Sequence, residues 1–335
     1  GSFASNTGTG NQTVNLGSPF EGITPMALIL WTVGGTTADS NLTDAVFSHG
    51  WGTRDGGATQ QWYQSVFGDA GIDPSAVVRG RNTTAILKPF TTDSTTADAE
   101  YSLVSLNSGT PSNFVVNVVN APAAAIKIMY CVLGGTDITA ARAGSFTVPT
   151  SGTPQDVTVV ASFGQPDFIF FSTAPNNTGD VQGNATMGFQ VGKNDTERFG
   201  SNVGLVDASA ATNISTYQKQ QCFTGITAAG AIDFEGDLSA KASWPTDGFQ
   251  ISWFDFAGSS ATGNFYVALK GTFQSAIGEN SSLTSGGPTD NACGFVPVVA
   301  GIFGANQVNT GTPITSGTGL GAWYIGATDG TNERW

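Results

Sequence analysis

The most constraining feature of this sequence is a passage of similar pattern that occurs three times. Each passage opens with Gly, a small residue and Phe, at residues 1–3, 144–146 and 271–273. A proline then introduces an apolar run between 22 and 26 residues after the opening glycine, at residues 25–31, 166–171 and 297–303. Because these spacings differ only by loop-sized amounts, they predict one structural unit copied along the chain.

The agreement continues further along each passage. Each has an apolar segment that ends in Gly-x-x-Asp, and the three aspartates are Asp55, Asp195 and Asp329. The first two passages also close on matching pairs of apolar segments, residues 114–118 and 127–134 against residues 249–253 and 265–271. Several matches in the same order indicate a true repeat.

These matches predict three repeats along the chain. The first covers residues 1–143, the second residues 144–270, and a partial third residues 271–335. The third stops after its Gly-x-x-Asp segment and so leaves apolar residues half covered and strand edges open. We therefore expect either that the polypeptide continues or was cleaved, which we favour, or that another subunit donates the missing strands.

Composition decides the class of fold. Charged residues are only 11% of the chain, yet 22 Phe and an apolar fraction of 39% are more than disordered chains contain. Runs of Val, Ile, Thr and Phe alternate with Gly, Asn and Pro clusters, whereas residues that favour helices are scarce. The sequence predicts an all-β protein of tandem antiparallel β-sandwich modules, jelly-roll-like or immunoglobulin-like. An up-and-down barrel has the same periodicity and stays open as the alternative.

One apolar run makes a more specific prediction. Residues 28–31 are apolar at every position, whereas a strand with one face in solvent alternates between apolar and polar side chains. We therefore expect this segment to be a central strand whose two faces are both covered.

The balance of charge excludes two classes of partner. The chain has 12 Lys and Arg against 25 Asp and Glu, a formal net charge of −13. Nucleic acids and anionic membranes are bound through clustered Lys and Arg, so we expect neither as a direct partner. The longest apolar stretch, at residues 295–305, is far shorter than the roughly 18 residues of a membrane-spanning helix, so we expect no membrane insertion.

Few residues could carry catalysis. The single histidine, His49, lies in an alternating apolar segment and is interpreted as a packed residue. With no second histidine in the chain, we expect neither a Ser-His-Asp triad nor a histidine-based metal site. The widely spaced Cys131, Cys222 and Cys293 fit neither a disulfide framework nor a zinc site. No P-loop, nucleophile elbow or dinucleotide-binding fingerprint occurs. We expect no catalytic residue, no cofactor and no metal.

Paired carboxylates are the remaining chemistry of an acidic β protein, because glycosidases use two of them roughly 5–10 Å apart. The candidates are Asp98 with Glu100, Asp233 with Glu235, and Asp237. The first two pairs occupy similar places late in repeats 1 and 2, and this recurrence favours a structural role. The Gly-x-x-Asp aspartates could belong to a Ca²⁺ loop, but one repeated carboxylate favours a hairpin turn.

Aromatic residues provide the candidate binding site. Trp51, Trp62 and Tyr63 could form an exposed platform that stacks on sugar rings beside Asn and Asp donors. Further candidates of the same kind are Phe67, Trp323 and Trp335. Because aromatic strands in sandwiches are more often part of the core, a packed role is the alternative.

The closing segments resemble tandem repeats in virion proteins of tailed bacteriophages. Those repeats end in a D-F…D-G-F-x-L-x-W segment and a Y-x-A-L-G-G strand. The counterparts here are Asp233-Phe234, residues 247–253 and residues 266–271. In the first repeat, residues 130–135 fit the final strand, but Asn113-Phe114 replaces Asp-Gly-Phe. The resemblance extends through the repeats over nearly the whole chain, implies a virion location and supplies no catalytic residues.

From the resemblance we expect a non-enzymatic structural component of a bacteriophage virion. It would be a tail fibre, a collar or appendage, or a capsid decoration, and it would act by assembly with sister subunits and other virion proteins as a homo-oligomer. The alternative is a host-attachment adhesin or carbohydrate-binding module that recognises a host-surface glycan. A glycan depolymerase is the remote alternative.

Overall fold

The computed structural model describes residues 1–34, 45–55, 58–69, 76–90, 92, 94–152, 154–174, 179–207, 214–256, 263–278, 295, 300–305, 314–316, 323–328 and 333–334. These residues form antiparallel β-strands and two short 3-10 helices, η1 (Ser18–Phe20) and η2 (Lys241–Ser243), without an α-helix. The prediction of an all-β protein is therefore confirmed. Nowhere in the described ranges is there a helix with the length and apolarity to cross a membrane.

The first module is a sandwich of two sheets. Its strands are β1 (Ser2–Ala4), β2 (Gly10–Asn15), β3 (Pro25–Thr32), β4 (Ala45–Asp55), β5 (Ala58–Gly68), β6 (Val77–Asn82), β7 (Glu100–Asn107), β8 (Asn113–Asn120) and β9 (Lys127–Gly134). The large sheet has the order β1-β9-β3-β4-β5-β6, and the small sheet has the order β2-β8-β7. Leu28, Leu30, Tyr101, Phe114 and Val116 belong to the core between the two sheets.

The second module is built in the same way. Its strands are β10 (Ile138–Thr147), β11 (Gln155–Thr158), β12 (Phe168–Thr173), β13 (Gly179–Gln182), β14 (Ala185–Gly192), β15 (Arg198–Leu205), β16 (Ile214–Lys219), β17 (Phe223–Ile226), β18 (Ile232–Leu238), β19 (Gly248–Asp255) and β20 (Gly263–Gly271). The large sheet has the order β10-β20-β12-β14-β15-β16, and the small sheet has the order β11-β19-β18-β17. Its core includes Ile169, Phe171, Phe223, Phe249 and Trp253.

The two modules share one topology. When each strand of the first large sheet is replaced by its counterpart along the chain, the order of the second large sheet results. The counterpart of β17 in the first module is an isolated bridge between Leu87 and Tyr101. Both large sheets are open, which favours the sandwich over the barrel. Strand β10 spans the predicted boundary between residues 143 and 144.

The two large sheets also pack against each other through their outer faces. Ile29, Trp31 and Trp62 of the first module meet Phe189 and Val267 of the second in one apolar cluster. Each large sheet is therefore covered twice, by its own small sheet and by the large sheet of the other module. Strand β3 is buried at nearly every position as a result, and the prediction of a central strand covered on both faces is confirmed.

The described residues of the third passage include four short strands. They are β21 (Ala300–Ala305), β22 (Ile314–Ser316), β23 (Trp323–Thr328) and β24 (Glu333–Arg334). Strands β21, β23 and β24 form a small sheet in the order β21-β23-β24, whereas β22 adds to the edge of the second module.

Candidate functional site

The aromatic residues predicted to bind a glycan are buried. Trp51 and Trp62 have no exposed surface, and Tyr63 is 1% exposed. The ring centroid of Trp51 lies 4.3 Å from that of Phe170, and Trp62 stacks on Phe265 at 5.5 Å. The prediction of an exposed sugar platform at Trp51, Trp62 and Tyr63 is therefore wrong, because these residues lie on central strands with both faces covered. Phe67 is buried as well, and nothing is described of the side chains of Trp323 and Trp335.

His49 is packed among aromatic rings between the modules. Its ring lies 5.6 Å from Phe47, 5.7 Å from Trp62 and 5.9 Å from Phe189, measured between centroids. Burial, and secondarily the charge of Arg81, lowers the pKa of His49 from 6.5 to about 3. The imidazole is therefore neutral at physiological pH, which agrees with its interpretation as a packed residue.

The repeated glutamates are held by lysines. Glu100 forms an ion pair with Lys88 at 3.0 Å. Glu235 forms one with Lys219 at 2.5 Å and accepts a hydrogen bond from the hydroxyl of Tyr217 at 3.2 Å. Each of the two glutamates is therefore engaged by a lysine of its own module.

The other candidate acids have different surroundings. Asp237 is buried, forms an ion pair with Arg198 and accepts hydrogen bonds from the backbone N–H groups of Cys222 and Leu238. Burial nevertheless raises the pKa of Asp237 from its ordinary value, against the opposing effect of Arg198. Burial and the nearby charge of Asp255 raise the pKa of Asp233. Asp98 is half-buried just before β7.

The thiols and the turn aspartates form no described ligand set. Cys222 is fully buried and donates to the carbonyl oxygen of Val191 at 3.2 Å, and burial raises its pKa. Asp195 is exposed in the hairpin between β14 and β15. The side chain of Asp55, as well as Cys293 and Asp329, lies outside the described residues. In the part of the chain that is described, no group of three or more His, Cys, Asp or Glu could hold a metal ion.

The most elaborate polar arrangement lies where the second module adds a strand to the first. Strand β13 leaves its own sheet and pairs antiparallel with β6, the edge strand of the first large sheet. In this pairing Asp180 lies opposite Gly80, and Val181 lies opposite Arg79. The donated strand covers backbone groups that an edge strand would otherwise expose.

Two side chains of the first module hold the carboxylate of the donated strand. The hydroxyl of Tyr63 donates to Oδ1 of Asp180, and Nζ of Lys88 lies 2.7 Å from Oδ2. Burial, followed by the hydrogen bond and charge of Asp180, raises the pKa of Tyr63, so its hydroxyl stays protonated. Burial alone would lower the pKa of Lys88, but its hydrogen bonds to Asp180 and Glu100 raise it. Together they form a charged clamp, which consists of Tyr63, Lys88, Glu100 and Asp180.

The opposite face of β6 contacts the strand from which the donated segment departs. Arg81 is fully buried, and Nη1 donates to the carbonyl oxygen of Ala174 at 3.0 Å. Its guanidinium also lies over the ring of Phe265, 5.0 Å from the centroid. Strand β6 is therefore fixed to the second module on both faces and along its edge.

The same kind of junction occurs a second time. Strand β22, from the third passage, pairs antiparallel with β16, which is the counterpart of β6. The donated strands β13 and β22 also come from equivalent places, because each precedes the strand that ends in Gly-x-x-Asp. Strand donation to the preceding module is therefore a recurring feature of the chain.

Sequence reasoning missed the clamp. Lys88 and Asp180 are 92 residues apart in sequence, and neither belongs to a repeated motif. The only local signal is the short polar segment Gly-Asp-Val-Gln at 179–182, which has no apolar alternation and does not resemble a strand of its own module. Donation across modules could not be inferred from this segment.

No family model, no curated protein and no solved structure matches this chain.

Proposed function

We propose that the protein is a non-enzymatic structural component of a bacteriophage virion that acts by joining β-modules into an array. The observation that carries this proposal is the junction between modules, where a donated strand and a buried face between large sheets combine. Such a junction orders the modules as one body, as an architectural protein requires. The virion location rests on the resemblance of the closing segments, 233–234 and 247–271, to phage repeats.

The surroundings of the ionisable groups support an architectural role. Glu100, Glu235 and Asp237 are each engaged by a basic side chain. A glycosidase needs one carboxylic acid and one carboxylate facing a sugar in an accessible cleft. Acids engaged in ion pairs with basic side chains of their own module serve packing instead, which argues against the depolymerase alternative.

The adhesin alternative rested chiefly on three aromatic residues that are not accessible to a glycan. Trp51, Trp62 and Tyr63 are buried, so a glycan site would need other side chains. Among the described residues the exposed aromatic rings are Phe20 and Phe254, which lie in different modules. We therefore keep assembly as the proposed function.

Labelling of intact particles tests the proposal. Antibodies raised against the purified chain are applied to purified particles of the phage that encodes it, and bound gold-conjugated antibody is located by electron microscopy. We expect labelling at one structural position in many copies, with no labelling of particles from an unrelated phage. A chain that is abundant in the infected cell but absent from purified particles would refute the virion assignment.

A further inference from the structure

The edge strands β6 and β16, which accept the donated strands β13 and β22, differ in the space that they offer to a side chain. The hairpins β4–β5 and β14–β15 match, and aligning them places Ser65 of β5 at the position of Asn202 of β15. Gly80 of β6 lies opposite Ser65, and Tyr217 of β16 lies opposite Asn202, so Gly80 corresponds to Tyr217. Tyr63 of β5 corresponds in the same way to Gly200 of β15. The tyrosine and the glycine have therefore exchanged strands between the two modules.

This exchange creates space on only one of the two edges. A Cβ atom placed on Gly80 would lie 2.7 Å from Oδ1 of Asp180 and 2.6 Å from the ring of Phe90, too close for either contact. Glycine at this position therefore admits the carboxylate of the donated strand. In the second module the corresponding Tyr217 fills the position, and its hydroxyl binds Glu235.

The charges at the two edges also favour an acidic residue on the strand that pairs with β6, but not on the strand that pairs with β16. Lys88 contacts two carboxylates, Glu100 of its own module and Asp180 of the donated strand. Lys219 forms an ion pair with Glu235 of its own module. The second donated strand, β22, consists of Ile, Thr and Ser and follows a proline in the sequence, so it offers no acidic residue.

We propose that the β6 edge, with Gly80, Tyr63 and Lys88, is a binding site selective for an extended segment that carries an acidic residue opposite Gly80. This selectivity determines which module can follow the first one. The partner is a β-strand added to a sheet edge, where backbone pairing gives affinity and one side-chain pocket gives specificity. The inference rests on the strand pairing, the space at Gly80 and the charge of Lys88, and it does not need the virion assignment.

The first step of the test weakens the pairing of the donated strand β13 with β6 in the full chain. Asp180→Asn keeps the shape of the side chain but removes its charge. We expect amide hydrogen exchange in β6 and β13 to become about tenfold faster, because hydrogen bonds to a charged group contribute more than neutral ones. The matched control is Asp156→Asn, which removes a carboxylate from β11, where Gln250 donates to it. Unchanged exchange in β6 and β13 of the Asp180→Asn protein would overturn the proposal.

The second step offers the loosened edge a donor in trans. Three fluorescein-labelled peptides are added to the Asp180→Asn protein: residues 177–185 with the natural Asp180, the same peptide carrying Asp180→Asn, and residues 311–318. Fluorescence anisotropy should show at least tenfold tighter binding of the acidic peptide than of either other peptide. The preference should vanish in a Lys88→Met background, where the charge partner is absent.

Two results of this experiment would refute selectivity. One is equal binding of the acidic and the neutral peptide, which would mean that backbone pairing alone determines the partner. The other is that none of the three peptides binds, although hydrogen exchange shows that β13 has detached from β6. A preference for the acidic peptide that persists in the Lys88→Met background would equally refute the assigned role of Lys88.

Discussion

Trp62 is the side chain that most clearly joins the two modules at the residue scale. It has no exposed surface, and its indole Nε1 donates to the backbone carbonyl of Tyr266 in the other module at 3.1 Å. We predict that Trp62→Ala lowers the free energy of unfolding by about 3–5 kcal/mol, because the change leaves a cavity and an unpaired carbonyl group. Urea denaturation followed by circular dichroism measures the loss.

Phe254 provides the control for this substitution. It is also aromatic but is 60% exposed. Phe254→Ala should change the free energy of unfolding by less than about 0.5 kcal/mol, as is usual for exposed positions. Equal losses for the two variants would contradict the assignment of Trp62 to the contact between modules.

His49 makes the stability of the protein depend on pH. Its pKa is about 3 in the folded state and near its ordinary 6.5 in the unfolded state. Between these values the unfolded chain binds the proton and the folded one does not, so stability falls as pH falls from 6.5 towards 3. At pH 5 the loss attributable to His49 is about 2 kcal/mol, at 1.36 kcal/mol per pKa unit.

The variant His49→Leu isolates this contribution. Carboxylates also titrate in this range, so the informative quantity is the difference between the two proteins in stability lost from pH 8 to pH 5. We expect the variant to lose about 2 kcal/mol less than the wild type over this interval, measured by urea denaturation at each pH. Identical losses would show that His49 takes up its proton in the folded state.

At the scale of elements, strand β4 passes very close to the segment that precedes β7. A Cβ atom on Gly50 would overlap the backbone carbonyl oxygen of Ile86, and it would also approach that of Trp62. Because backbone atoms cannot turn aside as side chains do, we predict that Gly50→Ala destabilises the protein by about 3 kcal/mol or more. Thermal unfolding of the variant would show this as a lowered midpoint.

Gly8 is the matched control for Gly50. A Cβ atom there has no neighbour within 4 Å. Gly8→Ala should therefore be neutral, or slightly stabilising through reduced freedom of the unfolded chain. A comparable loss in both variants would mean that the close approach of β4 to Ile86 does not determine the effect at Gly50.

The sequence predicted elements that depend on local pattern and missed those that depend on distant neighbours. The apolar run 28–31 identified β3 as a covered strand, because burial on both faces leaves a continuous trace in the residues themselves. The local sequence around Trp51 and Trp62 did not reveal their burial, because these residues are covered by side chains of the other module that are distant in sequence. Strand β13 was missed because its partner β6 lies about a hundred residues earlier in the sequence.

At the scale of the whole molecule, the buried contact between the large sheets couples the two modules. Ile29, Trp31 and Trp62 on one side face Phe189 and Val267 on the other. Unfolding either module would expose this surface on its partner, so we predict that both unfold in one cooperative transition. Hydrogen exchange of β8 and β19, the central small-sheet strands, should then show the same midpoint in urea.

Separate midpoints for the two strands would contradict this coupling. In that case the contact between the large sheets would contribute less free energy than is needed to unfold a single module. The Trp62→Ala protein sharpens the comparison, because weakening the contact should lower both midpoints together, although the substitution lies in the first module alone.

The donated strand also has an evolutionary consequence. Because β13 belongs to the second module in sequence but completes the sheet of the first, the genetic boundary of a module is not its physical boundary. A recombination event that replaces the second module also replaces the segment that closes the first. Successful exchanges are thereby restricted to incoming modules that carry an acidic residue at the position of Asp180, so a shuffled gene must inherit compatible neighbours.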